Sequence, residues 1–240
     1  GSRDGVLVVV DGALQRCVRP RGIADTLQDA LDDWHRAAPL LRDIAKRLEL
    51  EEIAETEPFD PARCMAPLPR AYPFADGSAY LTHMELVRRA RGAEMPESFL
   101  SEPLMYQGLS DGFLGARDDI LLADTDWGID FEAEIAVITD DVPMGVSAAD
   151  AAGHIKLIML CNDVSLRALV PGEVAKGFGF YQSKPASAFS PLAVTPDALC
   201  AAWDGATLTG PVVSQVNGRE IGRPDAGNDM TFPFPELIAH

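Results

Sequence analysis

Apolar positions along the chain change their period more than once. Residues 5–10 read GVLVVV, a short apolar run that predicts a strand turned by Asp11-Gly12. Over residues 24–55, Ala24, Leu27, Ala30, Leu31, Trp34 and Ala38 fall near i, i+3, i+4 and i+7 spacing. That spacing predicts a helix, interrupted at Pro39 and resumed over residues 40–50. The proline-rich run EPFDPARCMAPLPRAYP, within residues 56–73, cannot be regular helix. It marks the expected boundary between a small N-terminal domain (residues 1–68) and a main domain (residues 69–240).

Beyond it, short apolar runs are separated by Gly, Pro and Asp at close intervals. Residues 129–138, 155–161, 189–194 and 211–216 are the better strand candidates, and residues 82–91 and 148–154 read as helical. Asn217-Gly218 is a hairpin signal. The expected fold class is α+β, with a β-rich mixed main domain and a small α/β N-terminal domain.

Composition narrows the partners. The 240 residues carry 20 Lys and Arg against 37 Asp and Glu, a net charge of −17. Such a surface repels phosphate backbones and anionic lipid, so nucleic-acid and membrane-surface binding are not expected. A local basic pocket can still take a small anionic substrate, and surplus carboxylates suit a divalent cation. Cys17, Cys64, Cys161 and Cys200 show no CxxC spacing. A zinc site or disulfide framework is therefore poorly supported, and scattered thiols fit a reducing cytoplasm. The chain has no apolar run long enough for a spanning helix and no visible signal peptide.

Four segments could carry chemistry. In DFEAEIAVI, residues 130–138, strand alternation puts Glu132 and Glu134 on one face, roughly 7 Å apart. This is either a solvated edge or a pair of oxygen ligands for a hard cation. The run IKLIMLCNDVSLRAL ends its apolar part at Asn162-Asp163. Asp163 there is either a helix N-cap or a ligand, and on a helix it would share a face with Arg167. In DGSAYLTH, His83 follows Asp76 by seven residues and precedes the basic Arg88, Arg89 and Arg91. A structural histidine on an exposed helix is the plainer reading. In YQSKPASAFSP, Lys184 precedes Pro185, which holds it extended. It is either a snorkelling surface lysine or a partly desolvated donor to an enolate or carboxylate. No P-loop, GxGxxG or GxSxG pattern appears.

In order, DGSAYLTH, PLMYQG, DFEAEIAVI, LCNDVSLR and QSKPASAFSPLAV resemble the fumarylacetoacetate hydrolase family over most of residues 70–200. Residues 1–65 resemble its smaller N-terminal domain. The resemblance implies one divalent metal, Mg2+ first with Mn2+ or Ca2+ as alternatives, on Asp76, Glu132, Glu134 and Asp163. It implies His83 as catalytic base and Lys184 near metal and substrate. Tyr106 and an arginine near Arg91 (Arg89 or Arg91) would contact substrate, with Arg167 as a further substrate-binding candidate. It also implies a homodimer. Val170 and Ser78 stand where fumarylacetoacetases carry a substrate-binding Gln and Tyr, so a different substrate is expected. Family chains run on past residue 240, so a C-terminal portion is expected to be absent.

These residue types suit hydrolysis of a C–C bond in a small 1,3-diketo acid of fumarylacetoacetate or acylpyruvate type. A decarboxylase, hydratase or isomerase of a 2-oxo acid would keep the same site. A non-catalytic cation-binding protein is the reading from another class.

Overall fold

A computed structural model describes residues 2–90, 92, 94–95 and 97–240. In chain order its elements begin with β1 (Val9–Val10), β2 (Arg16–Val18), α1 (Leu27–Asp32), α2 (Trp34–Glu49) and β3 (Glu57–Pro58). Then follow β4 (Ala75–Gly77), α3 (Leu81–Ala90), β5 (Met105–Gln107), β6 (Ile129–Asp130), β7 (Ala133–Thr139) and α4 (Ala148–Ala151). The chain continues through β8 (Ile155–Asn162), β9 (Ser165–Leu166), α5 (Val170–Val174) and β10 (Ala188–Phe189). It ends with β11 (Ser214–Val216), β12 (Arg219–Gly222) and α6 (Phe234–Ala239). This is the α+β class. One unit runs to Tyr72 and adds Ser110–Leu121 and Ala188–Leu192; the other holds Pro73–Leu109, Leu122–Ser187 and Ala193–His240.

In the first unit, β1, β2 and β3 form an antiparallel sheet, with Val9 opposite Val18 and Cys17 opposite Glu57. Asp11 makes the turn. Its buried carboxylate accepts the N–H groups of Gln15 at 2.7 Å and Arg16 at 3.0 Å, and the Arg16 Nε at 3.0 Å. The strand expected over residues 5–10 pairs only at Val9 and Val10. In this register Leu7 would face Pro20, which has no N–H, and Leu7 bonds Asp25 O instead (2.8 Å).

The expected helix over residues 24–55 is two helices, and its break lies at Asp33 (φ −137°, ψ 48°), not at Pro39. Thr26 and Asp29 cap α1 reciprocally. Pro39 lies inside α2 on its exposed side. The carbonyl it deprives of a partner, His35's, belongs to an exposed residue and is open to water, so the helix survives.

The second unit is built on the β7–β8 ladder, which pairs Ala133 with Asn162, Glu134 with Cys161 and Val137 with Ile158. One core joins Ile155 and Ile158 to Phe234 of α6, with Ile135, Val137, Trp203 and Leu237 packed on it. The single strand expected over residues 129–138 is broken: β6 pairs with β9, Ile129 opposite Leu166 and Asp130 opposite Ser165. The register is the same on both sides of the break, and Asp163 N–H still reaches Glu132 O at 3.0 Å. The ladder therefore bends between its halves without slipping a residue. The expected strand over 189–194 reduces to β10 and a bridge from Val194 to Ile158, because Pro191 offers no N–H between them. The Asn217-Gly218 hairpin forms, joining β11 to β12, with φ of +50° and +76° at its two central residues.

Candidate metal centre

Asp76 lies in the middle of β4, directly opposite Tyr106 of β5. Cross-strand neighbours stand close enough for direct contact. The Tyr106 hydroxyl donates to Asp163 Oδ2 at 3.0 Å and lies 3.4 Å from Asp76 Oδ2. Phe180 meets the Tyr106 ring edge-on at 4.9 Å between centroids.

The bend in the long ladder supplies the rest. Glu134 is the second residue of β7, and Asp163 follows β8 at the corner with its side chain 1% exposed. One oxygen each from Asp76, Glu134 and Asp163 falls within 4.8 Å of the others. Oxygens around a hard cation bound at about 2.0–2.6 Å lie no more than about 5 Å apart, so this donor set fits such an ion.

Glu132 stands beside this triad but faces cations. Its Oε1 accepts Arg167 Nη2 at 2.6 Å, and its Oε2 accepts Lys184 Nζ at 2.7 Å. Lys184, with its side chain 9% exposed, is no surface lysine. It also donates to Asp163 Oδ2, and to Ser165 Oγ at 2.8 Å. Ser187 Oγ donates to the other Asp163 oxygen at 3.1 Å. Asp163 caps no helix, since β9 follows it. Nor does it pair with Arg167, whose Nε instead bonds Asp130 at 2.9 Å.

Charge is out of balance here. Asp76, Glu132, Glu134 and Asp163 face two bonded cations, Lys184 and Arg167, and Arg167 is shared with exposed Asp130. Burial first, then the Asp163 charge, pushes Asp76 up to about 7. Burial and the neighbouring carboxylates hold Glu134 well above its ordinary value. Burial would also raise Glu132, but Lys184 and then Arg167 outweigh it and keep that carboxyl at about 2. Desolvation would lower Lys184, yet Asp163 and Glu132 more than offset it and leave it raised. Without a cation Asp76 and Glu134 are driven toward their protonated forms; a divalent ion would supply positive charge in the same place.

Cys161, opposite Glu134, has its thiol pushed up by burial and then by that carboxylate, so it stays protonated. His83 is half-buried in the first turn of α3 and is outside the triad. The N-terminus of α3 is held by Asp229, whose carboxylate accepts Thr82 N–H at 2.5 Å. Arg89 is exposed on α3, and Arg91 lies outside the described residues. Val170 opens α5 and is buried; Ser78 follows β4, its N–H bonded to Leu104 O at 2.9 Å.

Ser165, within the LCNDVSLR motif, belongs to the site, as do Ser187, Phe180 and Asp130, to which the sequence assigns no role. Ser187 lies in the same KPAS run as Lys184. The other three gain their place only through the ladder bend and the loop.

The fumarylacetoacetate hydrolase C-terminal model matches residues 73–240, and the fumarylacetoacetase N-terminal domain 2 model matches residues 1–70. An oxaloacetate tautomerase of Bos taurus, FAHD2A, is 29% identical over 57% of this chain and 42% of its own. The chain thus spans under half the length of that curated relative. Among solved structures, an HpcE protein of Mycobacterium smegmatis has a TM-score of 0.69 at 20% identity, covering 98% of this chain and 78% of that one. A fumarylpyruvate hydrolase of Pseudomonas aeruginosa, solved with Mn2+ and pyruvate, has a TM-score of 0.53 at 13% identity, covering 78% and 72%. With both its parts matched and the acidic triad assembled, this chain belongs to the fumarylacetoacetate hydrolase family.

Proposed function

We propose that the protein is a divalent-metal-dependent hydrolase that cleaves a C–C bond in a small 1,3-diketo acid. The observation that carries this reading is the carboxylate triad with Lys184 bonded to its Asp163 and to Glu132 beside it. Asp76, Glu134 and Asp163 would hold the cation, with Glu132 as a fourth carboxylate beside them. Such an ion supplies Lewis acidity toward the keto and enolate oxygens of the substrate.

The chain's own residues do the rest. His83 takes a proton from the water that attacks the distal carbonyl. The C–C bond then breaks, its electron pair passes to the enolate of the released 2-oxo acid, and that enolate takes up the proton His83 removed, which restores the base. Lys184, already aimed at the triad, offers donors to that developing charge. Tyr106 stays a neutral donor, because burial and then Asp76 push its hydroxyl far up. Arg167, and an arginine at Arg89 or Arg91, balance the substrate's carboxylate.

A second reading keeps the site and drops the bond cleavage. The 29% identity to an oxaloacetate tautomerase supports proton transfer on a 2-oxo acid. The two separate on a panel of acylpyruvates, fumarylpyruvate and oxaloacetate with Mg2+ or Mn2+. Hydrolysis predicts release of two acids from a diketo substrate, with kcat down about 10²-fold or more in His83→Ala. Enol–keto exchange of oxaloacetate with every diketo acid left intact would overturn the hydrolase reading.

A further inference from the structure

Glu173 in α5 gathers four donors on one carboxylate. Its Oε2 accepts the N–H of Tyr181 at 2.8 Å, the N–H of Ser183 at 3.1 Å and the Ser183 hydroxyl at 2.5 Å. Its Oε1 accepts the N–H of Gln182 at 2.7 Å. Three consecutive peptide N–H groups therefore converge on a single side chain, and they are the three that precede Lys184. Burial alone would raise the Glu173 carboxyl, but the Ser183 hydroxyl and these N–H groups hold it at about 2. It is an anion at any working pH.

The held segment is fastened on a second side. Ser183 is fully buried, and its carbonyl accepts Leu166 N–H of β9 at 2.8 Å. From there Lys184 reaches Glu132, Asp163 and Ser165. Between Glu173 and the clamp the chain passes Gly177 (φ +80°) and Gly179 (φ +87°). Phe178 and Tyr181 on this stretch are 98% and 86% exposed, and its apolar packing is confined to Phe180 against Tyr106. A loop with two left-handed glycines and solvent-facing aromatics needs another restraint to place a lysine accurately.

We propose that Glu173 is a positioning residue of the metal centre, which fixes the backbone of residues 181–183 and so aims the Lys184 ammonium at Glu132 and Asp163. Its catalytic consequence rests on the proposed role of Lys184, but its effect on Lys184 does not. Neither Glu173 oxygen is bonded to a triad residue; it acts through Lys184.

The test is lysine acylation by an N-hydroxysuccinimide ester, read residue by residue by mass spectrometry at low conversion. Glu173→Gln is expected to raise the Lys184 rate about fivefold or more, with Lys46 and Lys156 unchanged as internal standards. Ser183→Ala removes one of the four donors and should give a smaller rise; it decides the matter alone if Glu173→Gln does not fold. An unchanged Lys184 rate in the folded variant overturns the proposal. On a substrate the wild type turns over, Glu173→Gln should lower kcat about tenfold with little change in KM. That loss should vanish in a Lys184→Ala background; an undiminished loss there overturns the proposal. A wild type with no turnover contradicts the hydrolase reading, while the labelling result still stands or falls separately.

Discussion

Asp76 shows what the site demands of its ion. Its carboxyl, with an ordinary pKa of 3.8, is raised to about 7 by burial and by Asp163. A carboxyl raised on folding binds more protons in the native than in the unfolded state. Metal-free stability is then fully present below the unfolded value and is lost as pH rises toward 7. Glu134 acts in the same direction. Glu132 has the opposite sign, but its contribution is already complete above about pH 4.5. Chelator-treated protein should therefore melt at lower temperature at pH 7.5 than at pH 5.5, and Asp76→Asn should flatten that slope in a calorimetric pH series. Lys184 gives a second prediction. Its ammonium competes with a cation for Asp163, so Lys184→Met should tighten Mn2+ binding by about tenfold, about 1.4 kcal/mol, while lowering kcat to a small but measurable residue. Weaker Mn2+ binding in titration of that variant would contradict the competition.

Local chemistry decided which elements could be read in advance. The hairpin at Asn217-Gly218 depends on neighbouring residues alone, and sequence shows it. The Pro39 interruption was expected because an interior proline forfeits a hydrogen bond. Whether that breaks a helix depends on where the orphaned carbonyl points, which is a tertiary fact. With His35 exposed, the cost stays in the helix as lost stability, not as a break. Pro39→Ala should accordingly raise stability by on the order of 1–2 kcal/mol in denaturant unfolding. The ladder bend at Phe131–Glu132 is the larger lesson. Strict alternation puts Glu132 and Glu134 side by side, but the break leaves Glu134 in the triad and turns Glu132 to Lys184 and Arg167. No periodicity encodes that division, because it needs the partner strand and a lysine 52 residues away.

Taken as a whole, the molecule carries a net charge of −17 and concentrates part of it in a buried site. The ordered motifs made the family legible, and both family models match. The loop clamp on Glu173 was not legible, since a single glutamate in a short helix carries no pattern. Ion binding is linked to folding: an ion at about 100 times its Kd should add about 2.7 kcal/mol to stability. Chelator should thus lower the melting temperature, and an unchanged temperature would count against the site. Among the described residues no helix is long and apolar enough to cross a membrane. The most direct measurement is a calorimetric titration of Mn2+ into the metal-stripped protein and into Glu134→Gln. The account predicts about one tight site per chain in the first and a loss of about tenfold or more in affinity in the second. No binding by the wild type, or equal binding by both proteins, would contradict it.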